Sequence, residues 1–257
     1  MTVGTFPFGA PVRDLAMGTP LREVSTVVVG AYPSAVHVEW TPPRGLGRRV
    51  AALPVDNEPH PFWDGSGMEH FVERWRGEYF RPEWGTVRPS RLNGSSGRLL
   101  HTRWLAPLGV AVDDYFVTDC LPTSMMSDGV EGVVTGEGAY AALAEELGLP
   151  AVDMLQHPSE NAIVARAERQ HDRLRRQVEA SGASTIVTLG NAAARVVAAL
   201  SGQTGGALDE DTYEEPRYAT IGDRNLTWHA LVHPAVRAPW VERHDQWVLG
   251  RRTEPAA

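Results

Sequence analysis

Four short segments of the chain each place a polar side chain just after an apolar run. These side chains are Tyr32, Asp119, Asn191 and His233. A carboxylate accepts hydrogen bonds, an amide donates and accepts them, and an imidazole does either according to its tautomer. A phenol, with a pKa of about 10, is a poor base at neutral pH. Such side chains can bind a small polar group if the fold gathers them at one place.

Several classes of chemistry are excluded by residue types that the sequence lacks. The 24 basic residues are all arginine, because the chain has no lysine. It therefore forms no lysine Schiff base and contains no P-loop. Its single cysteine, Cys120, rules out an internal disulfide and a four-thiolate metal cluster. A formal charge of −8 argues mildly against binding nucleic acid over the whole surface, but it leaves room for a local basic face.

The composition is typical of a folded globular protein. With 257 residues, 42% of them hydrophobic and 22% charged, the chain can form one substantial core. We expect a single domain over residues 1–257, with loose tails at about 1–15 and 250–257 and a loose segment at Gly202–Pro216. No apolar run approaches the roughly 18 residues of a membrane helix, and no secretory leader is apparent. A cytoplasmic monomer that does not bind membranes is therefore predicted.

The elements that must position the polar side chains are apolar strands alternating with helices. Met68–Tyr79 and a segment from about Asn191 to Leu200 have helical patterns, and Gly85–Gly97 is rich in turn residues. This alternation predicts an α/β fold, a three-layer sandwich with a central, mostly parallel sheet flanked by helices. Ligands of such sheets bind at the carboxyl ends of the strands. The predicted strands are Thr26–Gly30, Val36–Trp40, Arg49–Pro54, Tyr115–Cys120, Ser184–Leu189 and Leu226–His233.

Five motifs at or near these strand ends resemble those of the uracil-DNA glycosylase superfamily. Gly30–Ser34 (GAYPS) is similar to the family's Gly-x-Asp-Pro-Tyr or Gly-x-Asn-Pro-Gly. Pro61–Gly67 (PFWDGSG) is similar to Pro-Phe-x-Gly-x-x-Gly with one glycine displaced, and Asp119 stands where a strand ends in asparagine. Val187–Ala193 (VTLGNAA) matches Val-x-Leu-Gly-x-x-Ala, and His233–Ala235 matches His-Pro-Ser. The missing cysteines separate the chain from the iron–sulfur branch of the family, and no metal or other cofactor is expected.

The resemblance implies an enzyme that flips a base out of DNA and hydrolyses its N-glycosidic bond. That reaction passes through a sugar with oxocarbenium character and a departing anionic base. His233 would donate a hydrogen bond to the base carbonyl oxygen as negative charge develops there. Phe62 would stack on the extruded base, and Gly30 and Tyr32 would lie beside it. The structural alternatives are a histidine that caps a strand end and a core phenylalanine next to Trp63.

Asp119 and Ser34 depart from the family motifs in a way that favours a cytosine-type base. A carboxylate accepts hydrogen bonds, as from the N4 amino group of cytosine, whereas uracil presents an acceptor at that position. Ser34 stands where a tyrosine excludes a substituent on C5 of the base, so it leaves room for a larger one. The alternative for Asp119 is a carboxylate that caps a local turn.

Tyr32 stands where related enzymes carry the Asp or Asn that activates water. A replacement carboxylate is expected from the segment DNEPHPFWDG, in which we favour Glu58 and Asp56 slightly over Asp64. The alternative for these three side chains is that they are ordinary loop carboxylates.

Contacts to DNA are predicted from a polar loop and from one arginine. Asn93, Ser95 and Ser96 would contact phosphates, and Arg237 would probe the groove or fill the vacated space. Other arginines, interleaved with acidic residues on a predicted long helix, are expected to form a solvated face. They are Arg166, Arg169, Arg173, Arg175 and Arg176.

The sequence thus predicts a metal-free, monofunctional DNA glycosylase that leaves an abasic site. A 5-modified cytosine, such as the hydroxymethylated or glucosylated bases of phage DNA, would suit Asp119 and Ser34 and imply an antiviral role. Uracil excision in base-excision repair is the alternative within the same chemistry. A nucleotide or nucleoside N-glycoside hydrolase and a non-catalytic binder of modified DNA are the alternatives from other classes.

Overall fold

The computed structural model describes residues 2–136, 139–156, 159–213 and 215–253 of the chain. They pack into two compact units, and each unit is assembled from three separate segments, so no single linker divides the chain. The single domain expected over residues 1–257 stays a prediction. The first unit consists of Met1–Ala16, Pro33–Ser95 and Pro122–His157, and the second of Met17–Tyr32, Ser96–Leu121 and Pro158–Ala257.

The strands and helices alternate irregularly along the described residues. The strands are β1 Thr2–Thr5, β2 Pro11–Arg13, β3 Thr26–Gly30, β4 Ala35–Thr41, β5 Val50–Asn57, β6 Thr86–Pro89, β7 Tyr115–Asp119, β8 Thr185–Leu189, β9 Arg217–Ile221 and β10 Arg224–Leu231. The helices are α1 Met68–Tyr79, α2 Ser95–Leu99, α3 Asp128–Thr135, α4 Ala144–Leu147, α5 Glu160–Glu168, α6 His171–Ser181, α7 Asn191–Leu200 and α8 Trp240–Thr253. None of these helices is both long enough and apolar enough to cross a membrane.

The second unit contains the mostly parallel sheet that the sequence predicts. Its strand order is β7-β3-β8-β10-β9, with the first four strands parallel and β9 antiparallel to β10. All five residues of β3 are buried, as expected for an apolar run inside a parallel sheet. Because β7 lies on one side of β3 and β8 on the other, the strand order reverses at β3. Such reversals open a crevice at the carboxyl ends of the strands.

The first unit is built on a separate antiparallel sheet, which the sequence did not predict. Its order is β5-β4-β6, so β4 and β5 belong to this sheet and not to the parallel one. The strand β6 lies inside Gly85–Gly97, which was predicted to be a loop. Turn residues surround β6, so its local sequence does not predict a strand. Hydrogen bonds to β4 form it instead.

Residues 2–13, predicted to be a loose tail, form an antiparallel hairpin of β1 and β2. The physical reason is burial, since Phe6 and Phe8 are 0% and 2% exposed. The Phe8 ring packs against a cluster of aromatic rings with centroids 5.0–5.7 Å away. At the other end, residues 250–253 complete α8, and residues 254–257 of the predicted loose tail lie outside the described residues.

Candidate functional site

The carboxyl ends of the parallel strands in the second unit lie level with one another. Gly30 pairs with Asp119 across β3 and β7, and Leu189 pairs with Leu231 across β8 and β10. His233 follows two residues after β10 ends. Three strand spacings of roughly 4.8 Å separate β7 from β10, which places their ends ~14 Å apart. The sequence prediction that these strand ends meet at one edge of a sheet is confirmed within this unit.

Asp119 is the most unusual side chain at this edge. It is 1% exposed, and neither carboxylate oxygen has a hydrogen-bond partner among the described residues. Burial raises the pKa of Asp119 to about 7, although the Arg173 guanidinium lowers it in part. The carboxyl group is therefore distributed between its protonated and ionised forms near neutral pH. It can donate a hydrogen bond in the first form and only accept in the second.

Arg173 is a site residue that the sequence analysis missed. It was predicted on a solvated face, but it turns inward and donates to the backbone oxygens of Asp119 at 2.5 Å and Cys120 at 2.9 Å, and to Oγ1 of Thr118 at 3.0 Å. It also donates to Oε1 of Gln177 at 2.9 Å. Its donors thus hold the end of β7 in place and do not reach the Asp119 carboxylate.

A helical signal could have identified the inward position of Arg173. The predicted long helix is two helices, α5 and α6, and residues Leu174, Gln177 and Val178 of α6 are buried. Arg173 lies one turn before Gln177, on that same face.

His233 is held as a neutral donor. The backbone N–H of Ala235 donates to its Nδ1 at 3.1 Å, which assigns the ring proton to Nε2. Burial lowers the pKa of His233 to about 4, so the imidazole is uncharged at neutral pH. Gly190, at the end of β8, lies against it. A Cβ on Gly190 would be 3.5 Å from the His233 Cβ, and the φ of +91° favours glycine.

The other predicted residues of the second unit lie at or near chain turns. The Gly30 carbonyl oxygen accepts from Cys120 N–H at 2.9 Å, which extends the β3–β7 ladder by one residue. Tyr32 follows β3 and is half-buried, Ser96 is partly exposed in α2, and Arg237 is exposed in the turn before α8. Arg237 is therefore accessible for the groove contact that the sequence predicts.

In the first unit, the structure brings Glu58 and Ser34 together. Glu58 is 7% exposed, and its Oε1 accepts from the backbone N–H of Ser34 at 2.9 Å. The carbonyl oxygen of Ser34 accepts from Oγ of Ser124 at 2.6 Å. The backbone of Ser34 is thus fixed on both sides, while the residue itself is exposed.

Asp56 and Asp64 cap nearby backbone groups. Asp56 accepts from Asn57 N–H at 2.8 Å, and burial raises its pKa despite the hydrogen bonds from Asn57. Asp64 is exposed and accepts from Ser66 N–H at 2.8 Å, and hydrogen bonds from Ser66 lower its pKa. Asp64 thus fits the alternative of a loop carboxylate, whereas Asp56 lies within β5, near the end of the strand.

The loop that carries Phe62 is tightly braced. Phe62 has a φ of +50°, which is strained for a bulky residue, and its side chain is partly exposed. The neighbouring Trp63 is buried, and its Nε1 donates to the Ser66 carbonyl oxygen at 3.0 Å. A Cβ on Gly94 would lie 2.1 Å from the carbonyl carbon of Asp64, so the two backbones touch directly. This brace holds the Phe62 backbone in its unusual conformation.

The structure corrects the predicted phosphate contact of Asn93. It is 2% exposed, its Oδ1 accepts from His37 N–H at 2.8 Å, and its Nδ2 donates to the His37 carbonyl oxygen at 2.8 Å. An amide side chain can serve both backbone groups at once, so Asn93 completes the hydrogen bonding of β4. Ser95, two residues on, is exposed at the start of α2, and its predicted phosphate contact stays a prediction.

A surface depression of the first unit has none of the predicted site residues in its lining. It has a volume of about 630 Å³ and is lined by residues within Thr41–Gly47 and Pro82–Thr86. The charged residues that line it are Arg44 and Glu83, which are both exposed. Neither is a buried polar group of the kind seen at Asp119, so the depression does not mark the site.

No protein-family model and no curated protein matches the chain. Its function must therefore be inferred from its own side chains and their geometry.

Proposed function

We propose that the chain is a monofunctional DNA glycosylase of the uracil-DNA glycosylase type. It would flip a pyrimidine out of DNA and hydrolyse the N-glycosidic bond, with helices flanking the mostly parallel sheet in three layers. The observation that carries the proposal is the buried Asp119 carboxylate, which has no partner among the described residues and shares a sheet edge with a neutral His233. A buried unpaired carboxylate disfavours folding, so a polar ligand that pairs with it is the simplest reason for its presence.

His233 would stabilise the departing base. Its Nε2–H donor would face the carbonyl oxygen on which negative charge develops as the glycosidic bond breaks. Because the imidazole is already neutral, it would act by donating a hydrogen bond and not as a cation. One preorganised donor of this kind typically contributes about 2.7–4 kcal/mol to the stability of the transition state.

Asp119 would read the opposite edge of the base. The ~14 Å between the ends of β7 and β10 leaves room for a base between their side chains. As a carboxylate, Asp119 would accept from the N4 amino group of cytosine. Facing O4 of uracil, the same carboxylate would leave two acceptors opposed, which costs about 1–3 kcal/mol or more.

The pKa of about 7 makes this preference depend on pH. Below that value the protonated carboxyl group can donate to O4 of uracil. Above it, the carboxylate can only accept, which favours cytosine. We therefore propose a cytosine-type base at pH values above 7, with uracil as the alternative within the same reaction.

A substituent on C5 of the cytosine is also part of the proposal. It rests on the small Ser34 at the position where the resemblance places a wall against such groups. Hydroxymethylated or glucosylated cytosines of phage DNA are the corresponding substrates, and antiviral defence is the corresponding role. The stacking role of Phe62 and the activation of water by Glu58, Asp56 or Asp64 stay predictions.

The test is to incubate the protein with oligonucleotides that each contain one uracil, cytosine, 5-hydroxymethylcytosine or glucosylated hydroxymethylcytosine. Alkali then cleaves at abasic sites, and the products are resolved on a gel. We expect abasic sites at a cytosine-type base, with no strand cleavage before alkali because the chain has no lysine. A His233→Ala preparation, purified in parallel, controls for contaminating glycosylases.

The rival functions give different results in the same assay. A nucleoside hydrolase would release base from free nucleosides and leave every oligonucleotide intact. A non-catalytic binder would retard modified DNA in a gel-shift experiment without forming abasic sites. Either result would overturn the proposed function.

A further inference from the structure

The backbone of Val232, the residue before His233, is held on both sides by buried side chains of the second unit. The N–H of Val232 donates to the hydroxyl oxygen of Tyr213 at 3.1 Å. The carbonyl oxygen of Val232 accepts from Nε1 of Trp104 at 2.8 Å. The two peptide groups that flank Val232 are therefore each fixed by a side chain, just after β10 ends.

A third residue, His244, fixes the direction of these hydrogen bonds. Its Nε2 lies 3.0 Å from the backbone oxygen of Arg103, which can only accept, so Nε2 carries the proton. Burial lowers the pKa of His244 to about 4, which leaves Nδ1 as an acceptor. The Tyr213 hydroxyl lies 2.7 Å from Nδ1 and must donate to it. Burial raises the pKa of the Tyr213 phenol, so this donor keeps its proton.

These three side chains come from separate parts of the chain. Trp104 lies in a π-helical turn, Leu100–Leu105, whereas Tyr213 lies in a loop and His244 in α8. They are 1%, 3% and 0% exposed, and the rings of Trp104 and His244 stack with centroids 4.3 Å apart. Apolar residues would fill this space without the need to satisfy three polar groups. Their convergence on the backbone of one residue, Val232, indicates that its orientation matters.

We propose that Tyr213, Trp104 and His244 are positioning residues that aim the imidazole of His233. They act by fixing the backbone of Val232, which sets the direction of the His233 backbone and ring. The inference rests on the proposed function of His233 as the donor to the leaving base. A catalytic group misplaced by about 1 Å can lose on the order of 10²-fold in rate, so loosening the Val232 backbone costs activity without removing any group that touches substrate.

The test is Tyr213→Phe, with Tyr218→Phe as the matched control. Tyr218 is 72% exposed on β9, so the control removes a hydroxyl that is not part of this network. We expect Tyr213→Phe to lower the single-turnover rate of base release by roughly 10-fold or more, while its affinity for DNA stays within about 2-fold. We expect Tyr218→Phe to match the wild type in both measurements.

A second readout does not require activity. Long-range ¹H–¹⁵N NMR spectra report the tautomer and environment of each histidine ring. In Tyr213→Phe, the Nδ1 signal of His244 should shift as it loses its donor, and the Nε2–H tautomer of His233 should become less populated or broaden. Trp104→Phe, which removes the donor to the Val232 carbonyl oxygen and part of the ring that stacks on His244, should change the His233 signals in the same way and serves if Tyr213→Phe does not fold.

The outcomes separate this inference from the proposed function. If the wild type forms no abasic site but the His233 signals respond in both variants, the glycosylase proposal fails and the positioning network stands. If the wild type is active and the folded variants keep its rate and its His233 signals, the positioning inference is overturned and the glycosylase proposal stands.

Discussion

The three candidate carboxylates of the first unit and Asp119 of the second unit differ in what their oxygens contact. Asp56, Glu58 and Asp64 each accept a hydrogen bond from a backbone N–H in their own unit. Asp119 is equally polar and more deeply buried, but neither of its oxygens has a hydrogen-bond partner among the described residues. A carboxylate that caps backbone groups stabilises its loop, whereas a buried carboxylate without a donor destabilises the fold.

The pKa values separate Asp64 from Asp119 further. Hydrogen bonds from Ser66 lower the pKa of Asp64, which keeps it ionised, while burial raises the pKa of Asp119 to about 7. Groups whose environments move their pKa values apart are those suited to different roles in a site. Asp119 is suited to change its hydrogen bonding with pH, and Asp64 is suited to hold a turn.

The largest effect is expected at the sheet edge of the second unit. His233→Ala should lower turnover by roughly 10²–10³-fold, because it removes the donor to the developing anion. Binding to DNA should be nearly unchanged, since the substitution leaves the proposed base stacking and phosphate contacts in place. Single-turnover assays and fluorescence anisotropy measure the two quantities. His171→Ala, at an exposed histidine of α6, is the control. Activity within a few-fold of the wild type would show that His233 does not act on the base.

The next effect is expected on the free energy of unfolding, in the first unit. Asn93→Ala leaves the N–H of His37 without a partner, whereas the carbonyl oxygen of His37 keeps the N–H of Ser90 as a donor at 3.1 Å. We expect the free energy of unfolding to fall by about 1–3 kcal/mol, the cost of one buried group left unpaired. Urea denaturation measures it. Ser95→Ala, at an exposed position, should change it by less than about 0.5 kcal/mol. A loss of DNA affinity at unchanged stability would instead support the phosphate contact predicted from sequence.

Local signals in the sequence were enough for several elements. The bounds predicted for β3, α1 and α7 are confirmed, because each has a strong pattern of its own: a continuous apolar run, a helical period or an alanine-rich segment after glycine. The strand ends that carry Asp119 and His233 were also found this way. Their meeting at one edge follows from parallel pairing, which places all carboxyl ends on the same side.

The missed features depend on contacts between distant residues. Tyr213 lies in Gly202–Pro216, which was predicted to be loose because of its glycine and acidic residues. It is buried because its ring packs against Trp240, His244 and Trp247, and its hydroxyl contacts His244 and Val232. The local sequence predicts that Arg173 is a surface arginine. Its side chain turns inward because it donates to the backbone oxygens at the end of β7. No local pattern reports such partners.

A smaller effect is expected on the choice of base. At pH 8 the wild type should release a cytosine-type base at least 10-fold faster than uracil, a difference of about 1.4 kcal/mol, because the ionised Asp119 only accepts hydrogen bonds. Asp119→Asn restores a donor toward O4 and should shift the ratio of rates toward uracil. Lowering the pH to 6 should shift the wild-type ratio in the same direction and leave that of Asp119→Asn unchanged. A wild type that prefers uracil at pH 8, or a ratio that does not move, would mean that Asp119 does not read the base.

The final prediction concerns stability against pH and tests the opening comparison directly. The folded-state pKa of Asp119, about 7, lies above its unfolded value of about 3.9. Between these values the native state binds more protons than the unfolded state, so this group lowers the free energy of unfolding as pH rises, by at most about 1.4 kcal/mol per pH unit. Four histidines oppose this trend, because burial lowers the pKa of each to about 4 and stability is lost as pH falls below about 6.5. They are His37, His229, His233 and His244.

The difference between two unfolding curves isolates the carboxylate from the histidines. As pH rises from about 4 to 7, we expect the free energy of unfolding of Asp119→Asn to increase relative to that of the wild type, and above pH 7 this difference should level off. The histidine contributions are common to both proteins and cancel in the difference. Asp64→Asn is the matched control. The pKa of Asp64 is lowered, so its contribution is lost only as pH falls below about 4, and from pH 4 to 7 its curve should run parallel to that of the wild type. Urea denaturation at half-unit pH intervals measures all three proteins. Parallel curves for Asp119→Asn and the wild type would mean that Asp119 has a donor in the folded protein, which removes the contrast between the two kinds of carboxylate.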